Sequence, residues 1–596
     1  MKLNRSRRLR GAVIGLAAGA LVLTGCSEGS DVGSDAGASE ADAAAQSKPV
    51  TYGDEAASKG PAPEVKGAKK GGMIRVFEEA DFGHLDPGQI YVSNSGQLAS
   101  LIHRGLTMFK EDEKGNKKVV GDLATDSGTK SDGGKTWKYT LKDGIKDEDG
   151  DPITSEDIRH SVERLYSEVI FDGPVYLQQW LSGGGSSYRK ALPDGPYKGD
   201  HLPDDVLETP DDKTVIFHFD KPRPDVPQAL TLPGYSVVPK EDDTKKKYDQ
   251  KPKSTGPYKI GEYTPDKSMK LVKNKHWDPK TDPYRHQYVD GFNITFNHKD
   301  ADQTERLLAD RGAAKNGVQL AGHVASSKTK KVMQEAKNRT IQGYQPYVWQ
   351  MNMNMDRIKD KKVRDAITYA LPNKQILTPD GGTFGGAVAP NLLAPTLPGH
   401  EKDYDPYGKL KNPNGQPEKA KKLLEKAGKK GMKLLYATSD EPVRQDQAAI
   451  IEKALSDAGF DVQKKVINGA TWYEQLGKVD NGFDIYMTGW GQDWPSPSTV
   501  IPPSYDGDQI QDGASNYSHI DDKHVDKEID RISEIVDPKK AVKEWQKLHK
   551  YILEEVNPAA PLYYTKSLQM HGSNVGGARY STTKSYIDLT RLYLKK

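Results

Sequence analysis

Hydrophobic and polar positions in the second half of the chain predict alternating strands and helices. Strand-like and helical runs follow one another at residues 432–437, 447–458, 460–467, 471–478 and 483–488. Strands joined by crossover helices form a largely parallel sheet, and open sheets of this kind bind ligands beyond the carboxyl ends of their strands. The glycine-flanked run GWGQDW at residues 489–494 follows one such end. We therefore expect a ligand site at this loop.

The preceding half of the chain alternates less regularly. Strand-like runs lie at residues 73–77, 137–141, 214–219, 270–273 and 292–296. Residues 98–109 carry apolar positions at helical spacing, and Thr154 with Asp157 resembles a capping box that opens another helix. Near the end of the chain, the apolar stripe of residues 541–556 includes Trp545 and predicts a core-facing helix. The pattern indicates an α/β protein without a fixed-period repeat.

The N-terminus has the pattern of an exported lipoprotein. Basic residues precede an apolar stretch at residues 11–23, which is too short to span a bilayer. The stretch ends at LTGC, which resembles the bacterial lipobox, so residues 1–25 are predicted to be a signal peptide and Cys26 the lipidated residue. Residues 26–70 are rich in small and polar residues and are predicted to be a disordered tether. The general secretory and the twin-arginine export routes both remain open.

Composition narrows the class of partner. The 596 residues carry 86 Lys and Arg against 84 Asp and Glu, and this balance lacks the basic excess of a nucleic-acid-binding protein. Cys26 is the single cysteine, which excludes an internal disulfide and a multi-cysteine metal site. The 14 histidines are scattered and form no His-Glu-x-x-His pair. We expect no catalytic residues, metal site or cofactor, and a lipid-anchored protein at the extracytoplasmic face of a bacterial membrane.

Several long segments lie in an order that is typical of one family of exported proteins. The two longest are GGMIRVFEEADFGHLDPGQI and DGGKTWKYTLKDGIKDEDGDPITSEDIRHSVERL. Further segments are STGPYKIGEYTPDKSMKLVKNKHW, VRDAITYAL, FDIYMTGWGQDWPSP, SNYSHIDDKHVDKEID and VNPAAPLYY. Together they resemble the family 5 bacterial extracellular solute-binding proteins, the peptide- and nickel-binding components of ABC importers. The similarity extends over nearly the whole chain after residue 70.

The resemblance implies a two-lobed type II periplasmic-binding-protein fold with an extra subdomain in lobe I and a hinged interlobe cleft. Lobe I would comprise residues 71–110, 205–325 and 561–596. The extra subdomain would comprise residues 111–204, and lobe II residues 326–560. The lobes would close on the ligand by hinge rotation. The closed protein, expected to be a monomer, would dock on ABC permease subunits that work with a cytoplasmic ATPase.

The resemblance also implies site residues in the loop that the strand pattern singles out. In peptide-binding members this loop supplies a tryptophan and an aspartate, and the aspartate pairs with the α-ammonium of the peptide. Trp490 and Asp493 match these positions. Packing is the alternative role of Trp490, and a turn or capping role that of Asp493. Gly491 lies in the same loop, and Gln492 could narrow the site.

Other candidate contacts lie in two further segments. Tyr91 and Asn94 follow the first strand, where relatives line the cleft from lobe I, and a plain surface loop is the alternative. Tyr347, Trp349 and Asn352 match a strand that can pair with bound peptide, although core packing is favoured for Trp349. Trp494, at the end of the loop, is expected to be a wall or core residue rather than a ligand contact.

The expected ligand is an oligopeptide that the protein captures for uptake. A nickel chelate, haem or an oligosaccharide is the alternative, since the family includes such binders and the sequence cannot place cleft-facing arginine, histidine or tryptophan. The length of the peptide and the choice between nutrient uptake and signalling remain open.

Overall fold

The computed structural model describes residues 47–183 and 185–596, which form mixed sheets covered by helices. The strands are β1 (Thr51–Tyr52), β2 (Met73–Phe77), β3 (Thr107–Glu111), β4 (Lys117–Gly121), β5 (Thr129–Ser131), β6 (Thr136–Thr140), β7 (Leu207–Asp211), β8 (Thr214–His218), β9 (Tyr258–Thr264), β10 (Ser268–Lys273), β11 (Gly291–Thr295), β12 (Gly317–Gln319), β13 (Thr340–Met353), β14 (Gly386–Val388), β15 (Lys433–Ser439), β16 (Asp461–Ile467), β17 (Ile485–Gly491), β18 (Ala559–Met570), β19 (Val575–Gly576) and β20 (Tyr593–Leu594). The α-helices are α1 (Glu55–Ser58), α2 (Ser93–Ile102), α3 (Ser155–Arg164), α4 (Tyr176–Ser182), α5 (Val226–Ala229), α6 (Asp300–Ala309), α7 (Thr329–Glu335), α8 (Lys361–Ala370), α9 (Asn373–Leu377), α10 (Pro417–Lys426), α11 (Pro442–Asp457), α12 (Trp472–Leu476), α13 (Ile501–Tyr505), α14 (Lys523–Ser533) and α15 (Pro538–Tyr551).

The first lobe is built on a five-stranded sheet with the order β12-β2-β11-β10-β9. Strand β2 pairs in parallel with β11 and β12, whereas β10 is antiparallel to its neighbours. Ile74 and Val76 alternate with more exposed residues along β2, and their side chains pack against the apolar face of α2. The C-terminal residues after β18 return to this core through Leu592 and Leu594. The sheet therefore fixes the position from which the chain leaves β2 towards Tyr91.

The expected helix at residues 98–109 is wrong over its second half. Helix α2 starts earlier, at Ser93, and ends at Ile102, after which His103 is extended and the chain enters β3. Beyond Gly105 the apolar residues Leu106 and Met108 alternate with a period of two, which is a strand pattern. A Cβ on Gly105 would lie 3.1 Å from the carbonyl oxygen of Leu230, so the chain passes close to a neighbouring segment at the point where the helix has ended.

The extra subdomain contains a four-stranded antiparallel sheet with the order β5-β6-β8-β7. Trp137 and Tyr139 alternate into its core, and α3 covers the sheet after the capping box of Thr154 and Asp157. Because β7 and β8 complete this sheet, the predicted boundary at residue 204 is wrong, and the subdomain continues through β8. The predicted capping box is confirmed.

The second lobe contains a six-stranded mixed sheet with the order β14-β18-β13-β17-β15-β16. The predicted strand-helix alternation is confirmed as β15, α11, β16, α12 and β17, and β15 pairs in parallel with both β16 and β17. The other pairs of the sheet are antiparallel, so the sheet is less parallel than expected. Strand β18 stays paired with β13 as far as Met570, but Leu568 and Met570 pack with Phe77 of the first lobe. The strand itself therefore leads into the first lobe, and the return predicted at residue 561 stays a prediction.

The predicted tether is wrong for its last part, residues 47–70. Strand β1 pairs in parallel with β4, and Asp54 caps α1 by accepting a hydrogen bond from the N–H of Ala57 at 2.9 Å. Ser58 is fully buried, and its hydroxyl accepts a hydrogen bond from the N–H of Gly121 at 2.9 Å. Backbone pairing and a few buried side chains thus hold a segment whose low apolar content predicted no structure.

The predicted signal peptide, the predicted lipidation site Cys26 and the first part of the predicted tether, residues 26–46, lie outside the described residues. Among the helices that the structure does describe, none combines the length and the apolar character of a membrane span.

Candidate ligand-binding site

The predicted site loop leaves the carboxyl end of β17, which lies between β13 and β15 in the second-lobe sheet. Gly491 pairs with Tyr347 of β13 at this end. A Cβ on Gly491 would lie 2.6 Å from Cε1 of Tyr347, so only glycine lets the tyrosine ring lie across the strand. The loop then turns towards the first lobe and carries Asp493 into the space between the lobes.

Asp493 is held by two tyrosines from the opposite side of the cleft. The hydroxyl of Tyr91, which follows β2 and the turn after it, donates to Oδ1 of Asp493 at 2.9 Å. The hydroxyl of Tyr176, the first residue of α4 in the extra subdomain, donates to Oδ2. These two hydrogen bonds join the first lobe and its subdomain to the second lobe at one carboxylate.

Among the described residues, none supplies a cationic partner to the carboxylate of Asp493. Burial raises the pKa of Asp493, and the hydrogen bonds from Tyr176 and Tyr91 oppose this rise only in part. No lysine, arginine or histidine of the described chain forms an ion pair with it. Burial, with the Asp493 charge as a further cause, also raises the pKa of Tyr91 and Tyr347. The loop therefore presents a partly desolvated carboxylate that a cationic ligand group would stabilise.

Two cavities adjoin this carboxylate. The Asp493 cavity, of about 260 Å³, is lined among others by Tyr91, Tyr347, Gln492, Asp493, Lys584 and Tyr586. The aromatic cavity, of about 910 Å³, is lined among others by Tyr52, Trp137, Tyr176, Trp180, Trp490 and Trp494. Tyr91 lines both cavities, so they meet at the hydrogen-bonded group of Asp493 and the two tyrosines.

The structure brings together most of the residues expected from the loop. Trp490 lines the aromatic cavity with its ring, while its indole N–H donates to the carbonyl oxygen of Thr499 at 2.9 Å. Gln492 lines the Asp493 cavity and accepts a hydrogen bond from the hydroxyl of Thr396 at 2.8 Å. The loop contacts thus combine cavity lining with internal support.

Trp494 closes the second lobe against the extra subdomain. Its side chain is 2 % exposed and belongs to the core of the subdomain. Its ring lies edge to face with Tyr176 at 4.8 Å between ring centroids. The expectation of a wall or core residue is confirmed, and this tryptophan ties the site loop to the other side of the cleft.

Three further candidates make contacts within the protein, and their contact with a ligand stays a prediction. Asn352 is 2 % exposed, and its side-chain amide donates to the hydroxyl of Thr488 at 2.6 Å within the second-lobe sheet. Trp349 lies under the guanidinium of Arg444, with 3.7 Å between Cζ and the ring centroid, and packs against the core of the second lobe, as the favoured packing role predicts. Asn94 turns its side-chain oxygen to the N–H of Ser95 at 2.7 Å. Of the β13 candidates, Tyr347 is the one that lines the Asp493 cavity.

Sequence reasoning missed the partners that the other lobe contributes. Tyr176 lies four residues before Trp180 on α4, an aromatic pair at helical spacing that offered the only local signal. The contact between Asp225 and Ser498, in which the serine hydroxyl donates to Oδ2, also joins the two sides. Its residues are 273 positions apart, and nothing in either local pattern pairs them.

Within the described residues, no group of three or more His, Cys, Asp and Glu side chains is arranged to hold a metal ion.

The two-lobed α/β fold with a carboxylate that lines a cavity between the lobes is that of a solute-binding protein. The family model "Bacterial extracellular solute-binding proteins, family 5 Middle" matches residues 118–512. Since this match spans well over half of the chain, the protein belongs to family 5 of the bacterial extracellular solute-binding proteins.

Individual relatives agree with this assignment. The oligopeptide-binding protein AppA of Bacillus subtilis is 26% identical over 527 residues, which cover 84% of this chain and 88% of AppA. Among solved structures, clavulanic acid biosynthesis oligopeptide binding protein 2 superposes with a TM-score of 0.82 at 26% identity and covers 93% of this chain and 100% of its own. The structure of Bacillus subtilis AppA in complex with a nonapeptide superposes with a TM-score of 0.65 at 22% identity, covering 89% of this chain and 100% of its own.

Proposed function

We propose that this protein is the extracytoplasmic, lipid-anchored substrate-binding component of an ABC importer. It captures oligopeptides between its lobes and delivers them to membrane permease subunits that a cytoplasmic ATPase drives. Membership of family 5 and the similarity to oligopeptide-binding proteins support the choice of ligand class. The LTGC motif supports attachment to the membrane through Cys26.

The observation that carries the proposal is the carboxylate of Asp493, which faces a cavity and pairs with no cation of the described chain. The α-ammonium is the one charged group that all peptides with a free N-terminus share. A receptor that accepts many sequences can therefore bind this group without reading side chains. In the closed arrangement Tyr91 and Tyr176 donate to the two carboxylate oxygens and fix their orientation towards the ligand.

The remaining affinity would come from the peptide main chain. The pairing of β13 with β18 is interrupted between Tyr344 and Val348, and Pro346 and Tyr347 from this interruption line the Asp493 cavity. An extended peptide can add its own main-chain hydrogen bonds at such an interruption. This mode of binding tolerates sequence variety, which suits an importer of mixed peptides.

Closure of the lobes would be coupled to binding through the same residues. Tyr91 and Tyr176 belong to one side of the cleft, and Asp493 and Trp494 to the other. A ligand ammonium at Asp493 stabilises the carboxylate in the closed arrangement, in which both tyrosines donate to it. The permease would then recognise the closed protein.

The test is a set of calorimetric titrations of the purified protein with four classes of ligand. Tetra-alanine, maltotetraose, a nickel-histidine complex and haem are titrated separately under identical conditions. The proposal predicts saturable binding of tetra-alanine and much weaker binding of the other three. Saturable binding of the sugar, the chelate or haem, with no heat from a panel of tri- to hexapeptides, would refute it.

A further inference from the structure

We propose that the aromatic cavity binds a cationic side chain of the peptide, a guanidinium or an ammonium, with Asp225 as its counter-charge. This inference rests on the proposed function, because it assumes a peptide whose N-terminus lies at Asp493. It adds a preference for the side chain of one of the first residues, which the site at Asp493 does not provide.

The position of the cavity fits such a role. Tyr91 and Tyr176, which hold the carboxylate of Asp493, also line the aromatic cavity. An extended peptide advances by about 3.3–3.6 Å per residue, so its first few side chains lie within reach of the cavity when the ammonium is at Asp493. A volume of about 910 Å³ is within the range of pockets that enclose small ligands, and it exceeds what a single side chain needs.

The walls of the cavity suit a cation. Trp137, Trp180 and Trp490 line it, and the faces of aromatic rings attract guanidinium and ammonium groups through their quadrupole. Arg223 already makes one such contact on this wall, with 5.8 Å between its Cζ and the ring centroid of Trp180. That guanidinium is paired with Asp220, so it leaves the negative charge of Asp225 uncompensated.

Asp225 supplies the counter-charge at the junction of the lobes. Its Oδ2 accepts the hydrogen bond from Ser498 of the second lobe, and its Oδ1 accepts one from the side-chain amide of Gln228 at 3.4 Å. Burial raises the pKa of Asp225, and no cation of the described chain pairs with it. A half-buried carboxylate with hydrogen bonds but no counter-ion is stabilised by a cationic ligand group.

The remaining charges that face the cavity are also mostly negative. Asp506, Asp512 and Asp530 line it from the second lobe, and Lys130 and Arg223 are its basic residues. Burial and the neighbouring carboxylates Asp508, Asp526 and Asp530 raise the pKa of Asp506 to about 6. An anionic side chain would therefore be repelled, and a neutral one would leave the charge of Asp225 uncompensated.

The test compares arginine with citrulline, its neutral isostere, in one peptide frame. Each of the four positions of tetra-alanine is replaced in turn by arginine and by citrulline, and dissociation constants are measured by calorimetry. We expect arginine to bind at least tenfold more tightly than citrulline at one position, and lysine to show the same preference over norleucine there. Asp225→Asn should remove this preference and retain binding of tetra-alanine. The matched control Asp212→Asn removes an exposed carboxylate on the turn between β7 and β8 and should change neither.

The outcomes separate this inference from the proposed function. If no peptide binds, the proposed function fails, and this inference fails with it. If all peptides bind equally, or if Asp225→Asn keeps the preference for arginine, the inference is overturned while peptide binding stands. Should Asp225→Asn fold poorly, Trp180→Leu provides a second variant, which should weaken the arginine peptide more than tetra-alanine. Equal weakening of both peptides by that variant would also count against the cationic subsite.

Discussion

Replacing Asp493 with asparagine should remove most of the recognition of a peptide N-terminus. Asparagine keeps the shape of the side chain and can still accept a hydrogen bond from Tyr91, so the change is mainly one of charge. Two unit charges about 4 Å apart interact with about 4 kcal/mol at an effective dielectric constant of 20. Desolvation of both groups offsets part of this energy, and we expect a net loss of about 2–4 kcal/mol, a weakening of about 30- to 1000-fold.

A double-mutant cycle separates this pair from other effects of the substitution. The wild-type protein and Asp493→Asn are each titrated with tetra-alanine and with N-acetyl-tetra-alanine, which lacks the ammonium charge. We expect acetylation to weaken binding strongly for the wild type and little for the variant, so the coupling energy should equal most of the loss. The thermal unfolding of both proteins is compared as a control for folding.

Equally tight binding of N-acetyl-tetra-alanine and tetra-alanine to the wild-type protein would refute recognition of the ammonium by Asp493. Equal weakening of both peptides by Asp493→Asn would also refute it, because the carboxylate would then have a structural role alone.

Three further predictions concern other parts of the structure. Burial raises the pKa of Glu78 from 4.5 to about 7, so its protonated form stabilises the fold in acid and this contribution is lost as the pH rises through 7. In chemical unfolding, Glu78→Gln should therefore be more stable than the wild-type protein by about 3 kcal/mol at pH 8 but not at pH 4, and equal pH profiles of the two proteins would contradict this. Trp494→Ala should lower the free energy of unfolding by about 3–5 kcal/mol and weaken peptide binding, because the loop that carries Asp493 loses its contact with the core of the subdomain. An unchanged melting temperature of this variant would contradict the prediction. A chain that starts at residue 71 should have a free energy of unfolding about 2–4 kcal/mol lower than one that starts at residue 47, because buried groups such as the N–H of Gly121 lose their partners. Equal unfolding curves of the two chains would instead support a disordered tether over residues 47–70.

Local patterns predicted the elements of the second lobe because each strand and helix there has a clear periodicity of apolar residues and a clear end in the sequence. The β15 to β17 unit has short apolar runs, helical spacing and stops such as Gly459, and these features placed Asp493 beyond a strand end before any partner was known. The helix expected over residues 98–109 ends early, because the spacing of apolar residues in this stretch changes from helical to strand-like. The change falls near Gly105 and is visible only when the two spacings are counted separately.

Contacts between residues far apart in the sequence determine which side chains line the cavities and where the subdomain ends. Tyr347 and Trp349 point to the same face of β13, yet Arg444 of α11 covers the tryptophan, so strand alternation alone cannot distinguish them. Tyr176 and Asp493 are 317 positions apart, and their hydrogen bond depends on how the subdomain meets the second lobe. The subdomain boundary failed for a similar reason, because β7 and β8 return to a sheet that starts before residue 140.

The most direct test of the central claim is native mass spectrometry of the protein purified from cells grown in a peptide-rich medium, followed by denaturation to identify what it carries. We predict a set of bound masses that resolve into peptides with free N-termini. For Asp493→Asn, prepared in the same way, we predict that these masses are depleted. A protein that carries a sugar, a chelate or haem, or an Asp493→Asn protein that carries the same peptides in the same amount, would contradict recognition of peptides through the carboxylate of Asp493.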